Sequence, residues 1–275
     1  MKKLLVSVIL LFIICVAASG ISGTGVSGVS GTGAAPTKDF LLGKTHYEKD
    51  SNFVEIPPAY TVLRRPNNFI QKRTFEAFLK MHAAAKADGV KLVATSASRN
   101  FWVQRYIWEQ KWQKITDRQG AARAKYILQY NSMCGTSRHH WGTELDLNSP
   151  KLEYWNSVEG KKAYQWLCEN AHKFGFYQPY SKKVSGTEQG AGSQTVSGAG
   201  SQAVSGIGAN AGGRTTGYNE EKWHWSYYPL ANIYMNKYRE LIKEEDLKGF
   251  LGDKHVAELD IIENYVFGVA VPPEL

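Results

Sequence analysis

The sequence predicts a single α+β domain in which helices flank a small antiparallel sheet. Segments with helical periodicity cluster early and late in the chain, and the strand-like segments between them are few and short. About 210 residues remain once the low-complexity segments are set aside, and that length suits one domain. With 43% hydrophobic and 21% charged residues, the composition is that of a globular protein and excludes wholesale disorder.

Periodicity predicts nine regular elements. Apolar residues recur at spacings of three and four in the first helix, where Phe75, Phe78 and Leu79 share a face and Gly89 follows the end. The predicted helices are 67–88, 101–115, 121–130, 157–174, 231–243 and 256–265. The predicted strands, which alternate or are rich in β-branched residues, are 90–96, 143–147 and 222–227.

The first 19 residues predict a secretory signal peptide. Lys2 and Lys3 precede an apolar run that ends at Val16, and small residues suitable for cleavage follow. This run is shorter than the roughly 20 residues that a spanning helix needs, so we expect no membrane span in the mature chain. Lipid attachment at Cys15 is disfavoured because bulky Ile14 precedes it. We therefore expect a protein secreted across the inner membrane to the periplasm or cell envelope.

Two segments rich in glycine and serine, 20–36 and 184–213, hold more than half of the 26 glycines. Both repeat the unit V-S-G and have too little side chain to bury, which is typical of flexible linkers. Neither contains a phosphate-binding glycine motif, so a nucleotide site there is excluded. We interpret the first as a linker and the second as an insertion within one domain at 37–275.

The charge distribution indicates an anionic partner. The chain has a net charge of +8, although acids outnumber bases from residue 239 onward, so the rest is more basic than the total suggests. A basic protein outside the cytoplasm suits the cell wall or a membrane surface. Because no nucleic-acid-binding module is present, we expect no nucleic-acid partner. We also expect the protein to be a monomer. The sequence leaves open whether Cys134 and Cys168 form a disulfide.

The run from Ser137 to Asp146 carries the first candidate site residues. His139 and Asp146 are seven positions apart and can meet if a tight turn leads into a strand, and Gly142 permits such a turn. On that strand Glu144 and Asp146 share one face, because side chains alternate.

The second candidate group is Glu221 and His224 in the run EKWHW. Two imidazoles and one carboxylate suit a catalytic zinc that keeps a fourth position open. A nearby glutamate could then act as general base. Spacing alone leaves open the alternative that these histidines and the adjacent tryptophans are ordinary core residues, and no HExxH helix is present.

Taken together, these motifs resemble those of the LAS zinc peptidases, and specifically their VanY-type D-Ala-D-Ala carboxypeptidase branch. The family pattern S-x-H-x-x-G-x-A-x-D is matched at Ser137, His139, Gly142 and Asp146, and E-x-W-H at Glu221, Trp223 and His224. A third family segment is similar to residues 96–104, and a fourth to residues 166–176. The resemblance covers residues from about 53 to 238.

The resemblance implies a set of roles for individual residues. His139, Asp146 and His224 would bind Zn²⁺, and Glu221 would be the general base. Arg99 would bind the terminal carboxylate of the substrate, Ser137 would hydrogen-bond to the peptide, and Gln104 would support the pocket. The implied activity is release of C-terminal D-Ala from peptidoglycan stem peptides. A peptidoglycan endopeptidase of the same fold and a non-catalytic wall-binding protein are the alternatives.

Two departures from the family pattern bear on the substrate. Glu144 replaces a small alanine, and we expect it to make one wall of the pocket larger and acidic. Ala97 and Ser98 replace Gly-Tyr, which removes an aromatic ring from the substrate side. We expect His140, beside a ligand, to lie outside the ligand set, because a filled fourth position would displace the reactive water.

Overall fold

Two antiparallel sheets organise the fold. The computed structural model describes residues 35–62, 67–184, 213–270 and 272, so the predicted signal peptide, most of the linker and residues 185–212 of the insertion lie outside the described residues. In the smaller sheet, β1 (Phe53–Glu55) pairs with β2 (Phe69–Gln71). The larger sheet has the order β3-β4-β6-β5 and comprises β3 (Ala94–Ser96), β4 (Glu144–Leu147), β5 (Phe176–Tyr177) and β6 (His224–Tyr227). The predicted α+β class is confirmed.

Seven α-helices occur among the described residues. They are α1 (Lys38–Leu41), α2 (Lys72–Ala87), α3 (Phe101–Lys114), α4 (Gly120–Ile127), α5 (Leu152–Asn156), α6 (Val158–Asn170) and α7 (Tyr228–Leu241). Side-chain caps explain two of the starts: Asn100 accepts a hydrogen bond from the Val103 backbone before α3, and Ser157 does the same for Gly160 before α6. The predicted helix 157–174 is α6 followed by a 3₁₀ turn, and it ends at Gly175 in the left-handed conformation.

Two predicted helices differ from the structure. The helix predicted from residue 67 begins at Lys72, because Phe69–Gln71 pairs with β1 and Asn67 has a positive φ of 56°. The helix predicted at 256–265 is mostly turns with one π-helical turn at Ile262–Val266, and Asp260 interrupts it with a φ of 46°. Val256, Leu259 and Ile261 are buried there without a helix, so helical spacing in this segment reflects burial alone.

The larger sheet has one apolar and one polar face. Leu145, Leu147 and Trp225 are fully buried in a cluster that includes side chains of α2 and α6. The opposite face of β4 and β6 carries Glu144, Asp146, His224 and Ser226. In the register, Asp146 lies directly across from His224 and Glu144 across from Ser226. The pairing of these two strands therefore brings four polar side chains to one place.

The cysteines and membrane segments also have clear outcomes. Cys134 and Cys168 are both unpaired, and each packs into or against a different apolar cluster. Among the residues that the structure describes, no helix combines the length and the hydropathy that crossing a membrane would require.

Candidate metal centre

Three side chains from separate elements converge on the polar face of the larger sheet. His139 comes from the 3₁₀ helix Arg138–Trp141, Asp146 from β4 and His224 from β6. Their potential ligand atoms all lie within 4.8 Å of one another. Asp146 Oδ1 is 3.3 Å from His139 Nε2 and 3.1 Å from His224 Nδ1. All three residues are buried.

The approach of His139 depends on the turn at Gly142. This glycine ends the 3₁₀ helix with a φ of 71°, and a Cβ there would collide with the Phe53 ring. Only glycine adopts this conformation in that space without strain. The backbone NH of Arg99 also donates to the His139 carbonyl at 3.1 Å, which fixes the helix against the segment after β3. The predicted turn that joins His139 to Asp146 is therefore present.

The hydrogen bonds around the His139 and His224 rings leave one nitrogen of each ring directed at the point where the three side chains converge. His139 Nδ1 lies 2.6 Å from the Ala97 carbonyl and must donate to it, so Nε2 carries the lone pair. His139 Nε2 is buried and has no hydrogen-bond partner among the described residues. His224 Nε2 lies 2.8 Å from Glu144 Oε2, which leaves Nδ1 directed at Asp146. Donors at about 2.0–2.1 Å from a tetrahedral ion stand about 3.3 Å apart, and the two distances from Asp146 match that spacing. Two imidazoles and one carboxylate are also a donor set that suits zinc.

Glu221 lies beside this centre. Its Oε2 is 3.8 Å from His224 Nδ1, and its side chain is buried. Burial raises the pKa of Glu221 to about 8, although the nearby His224 opposes the shift. A cation at the centre would favour the ionised form, because opposite charges lower the pKa of a carboxyl group. Glu221 is thus placed to exchange a proton close to the metal site.

A cleft with a volume of about 370 Å³ opens onto the centre. Arg99, Asp146 and Glu221 line it together with Trp223. The Nε atom of Arg99 is buried and has no hydrogen-bond partner within the described part of the chain. The Arg99 carbonyl accepts hydrogen bonds from the Tyr47 hydroxyl and from His140 Nδ1, so its backbone is held firmly. A guanidinium in this position can bind an anionic group that enters the cleft.

The structure does not bring Ser137 and Gln104 to this cleft. Both are buried, and neither is among the residues that line it. Gln104 Nε2 donates to the Ser132 carbonyl at 2.7 Å, and Gln104 Oε1 and Ser137 Oγ have no hydrogen-bond partner among the described residues. Their roles in substrate binding stay predictions.

His140 lies outside the three-residue group, as expected. Its ring is buried, and Nε2 accepts a hydrogen bond from the Gly135 backbone at 3.2 Å. Since Nδ1 donates to the Arg99 carbonyl, both ring nitrogens are used by the backbone. His140 therefore connects the loop of Arg99 to the motif that carries His139.

The expectation that Glu144 forms an acidic pocket wall is wrong. Glu144 is completely buried against His224 and is not among the residues that line the cleft. Its Oε1 lies 3.2 Å from Arg138 Nη2 and accepts a hydrogen bond from Ser226 Oγ at 2.7 Å. Burial by itself would raise the pKa of Glu144, but Arg138 and His224 outweigh it and lower the pKa to about 2. Strand alternation correctly placed Glu144 beside Asp146, whereas nothing in the sequence pointed to Arg138 as its partner.

Comparison with known families agrees with this geometry. Residues 67–192 match the sequence model of the VanY family, described as D-alanyl-D-alanine carboxypeptidase. This segment is therefore similar to a VanY-family domain. The matched segment includes Arg99, His139 and Asp146 but ends before Glu221 and His224. The pairing of β4 with β6 brings His224 to the same site, and Glu221 lies beside it, three residues earlier in the chain.

Two curated proteins and several solved structures are similar to this chain. The protein named "Putative carboxypeptidase YodJ" from Bacillus subtilis (strain 168) is 29% identical over 120 residues. This alignment covers 42% of this chain and 40% of YodJ. The chain thus matches less than half the length of that relative. An uncharacterized protein of Haemophilus influenzae is 26% identical over 125 residues, covering 41% of this chain and 73% of that protein.

The solved structures are more distant in sequence. VanYB in complex with D-alanine-D-alanine is 22% identical with a TM-score of 0.40, covering 68% of this chain and 86% of that one. A VanY D,D-pentapeptidase variant in complex with Zn(II) is 23% identical with a TM-score of 0.40, covering 70% and 94%. The LD-carboxypeptidase LdcB is 18% identical with a TM-score of 0.44, covering 78% and 79%.

Proposed function

We propose that this protein is a zinc-dependent carboxypeptidase that releases C-terminal D-Ala from peptidoglycan stem peptides outside the cytoplasm. The observation that carries the proposal is the convergence of His139, Asp146 and His224 beside a buried Glu221, in a cleft that Arg99 also lines. The similarity of residues 67–192 to the VanY family supports a carboxypeptidase that acts on the cell wall. The basic charge of the chain suits an anionic wall polymer.

The proposed mechanism assigns a separate task to each residue. His139, Asp146 and His224 would hold the zinc ion, which supplies a Lewis acid that polarises the scissile carbonyl and lowers the pKa of water. Arg99 binds the terminal carboxylate of the substrate and so places the last peptide bond beside Glu221. Glu221 accepts a proton from the attacking water and delivers it to the leaving amine of D-Ala.

Replacing Arg99 tests the demand for a free carboxylate. We expect Arg99→Lys to raise KM by about 10- to 100-fold with a smaller change in kcat, because an ammonium group cannot form the paired hydrogen bonds of a guanidinium. Steady-state kinetics on a peptide ending in D-Ala-D-Ala would measure this. The matched control is Arg105→Lys on the exposed surface of α3, which should keep normal kinetics. An unchanged KM in Arg99→Lys would contradict this role.

The bond that is cut is tested with defined muropeptides. Mass spectrometry after digestion is expected to show loss of one D-Ala from the stem peptide, and the loss should stop when a chelator removes the metal. Cleavage of cross-linked dimers without release of D-Ala would instead indicate an endopeptidase. Zinc binding without any product would indicate a wall-binding protein.

A further inference from the structure

A buried polar cluster formed by Arg138, Glu144, Tyr177 and Ser226 lies against His224. Arg138 and Glu144 are both completely buried, and Arg138 Nη2 lies 3.2 Å from Glu144 Oε1. Arg138 Nη2 also lies 2.8 Å from Ser226 Oγ and 3.3 Å from the Tyr177 hydroxyl. The Arg138 guanidinium stands 5.0 Å from the centre of the Trp141 ring. Such a buried pair is costly to desolvate, so its presence beside the metal centre calls for a functional reason.

One oxygen of the Glu144 carboxylate contacts neither Arg138 nor Ser226, and this oxygen faces His224. Oε1 of Glu144 contacts Arg138, Ser226 and the Thr143 hydroxyl, whereas Oε2 lies 2.8 Å from His224 Nε2. Because the carboxylate accepts, Nε2 of His224 donates. The proton on Nε2 leaves the lone pair of a neutral imidazole on Nδ1, and Nδ1 is the atom that lies 3.1 Å from Asp146.

His139 has a different environment on the equivalent side of its ring. His139 Nδ1 contacts the neutral carbonyl of Ala97, whereas His224 Nε2 contacts the ionised carboxylate of Glu144. A carboxylate holds an imidazole more firmly than a carbonyl does and makes it a better electron donor, because the hydrogen bond is charge-assisted. The orientation of the His224 ring is therefore held more firmly than that of the His139 ring.

We propose that Glu144, held in place by Arg138 and Ser226, is a positioning residue that fixes the tautomer and ring orientation of His224 and thereby sets the affinity for zinc. The inference rests on the proposed zinc site, but it concerns metal affinity and does not depend on which bond is cut. Arg138 keeps Glu144 ionised and balances its charge, so the carboxylate strengthens His224 without adding net negative charge to the centre.

Glu144→Gln is the direct test, since it keeps the shape of the side chain and removes its charge. We expect the dissociation constant for zinc, measured by competition with a chromophoric chelator, to rise by about 10- to 100-fold. The matched control is Glu169→Gln, the same substitution on the exposed surface of α6, where Glu169 accepts a hydrogen bond from Gln165. This control should keep the zinc dissociation constant within about twofold of wild type. Zinc affinity within twofold of wild type in a folded Glu144→Gln variant would overturn the proposal.

Two further measurements keep the test decisive if the single variant does not fold. Glu144→Gln leaves Arg138 unpaired in the interior, so the double variant Arg138→Met with Glu144→Gln removes both charges and should show the same loss of zinc affinity. In the zinc-loaded wild type, proton and nitrogen NMR of the histidines should show His224 protonated at Nε2 with a strongly downfield proton. Protonation at Nδ1 would contradict the proposal. Both readouts are independent of the muropeptide products, so failure of the proposed reaction would be seen separately.

Discussion

Glu221→Gln is expected to lower kcat by about 10³-fold while leaving the zinc content unchanged, because general acid–base catalysis by one positioned group is worth about 10²–10⁴-fold. Glu221 Oε2 lies 3.8 Å from His224 Nδ1, close to the proposed ligands but outside their shortest contacts. Glutamine fills the same volume and cannot accept or return a proton. The metal should therefore stay while the proton transfer is lost.

Zinc analysis and steady-state kinetics on the same preparation would check this expectation. Glu220→Gln is the matched control, because Glu220 is the adjacent glutamate, accepts a hydrogen bond from the Tyr164 hydroxyl and does not line the cleft. It should keep wild-type kcat and zinc content. Activity of Glu221→Gln within tenfold of wild type would remove Glu221 from the mechanism, and loss of zinc would make it a ligand.

Removal of a proposed ligand should abolish metal binding and activity together. We expect His139→Ala to weaken zinc binding by more than about 100-fold, which exceeds the effect of losing an outer contact. The physical reason is that His139 is one of only three protein donors in the candidate centre, and its buried Nε2 has no hydrogen-bond partner in the described part of the chain. Hydrolysis should fall with zinc occupancy.

Competition with a chelator and the activity of metal-loaded protein measure both effects. The control is His46→Ala, because His46 is an exposed histidine beside Glu48 and is not one of the three residues of the candidate metal centre. His46→Ala should match wild type in both measurements. Normal zinc affinity in His139→Ala would exclude this histidine from the site.

Local patterns predicted much of the site. The turn at Gly142 and the alternation along residues 143–147 were sufficient to bring His139 towards Asp146 and to place Glu144 on the same strand face, and both features are present. The polar positions Asp146 and His224 are opposite each other in the sheet, although they are 78 residues apart in the chain. The resemblance to a known family linked these two motifs, and spacing alone did not.

Nonlocal pairing explains what local patterns missed. The strand Phe69–Gln71 was included in a helix because its partner, Phe53–Glu55, lies outside any short sequence window. Residues 256–265 have helical spacing of apolar residues, yet they bury those residues through turns. Periodicity reports which side chains are buried, and tertiary packing decides whether a helix or an irregular segment buries them.

The sequence by itself determined the class of fold and the identity of the candidate ligands, because residue type, a permissive glycine and strand alternation are local properties. Tertiary structure alone decided which partners each polar group meets. Glu144 does not line the cleft, and Arg138 and Ser226 hold it against His224. Buried polar groups must find partners, and those partners come from distant parts of the chain. The sequence predicts that Glu144 is part of the substrate pocket, whereas its contacts in the fold make it the proposed support for His224.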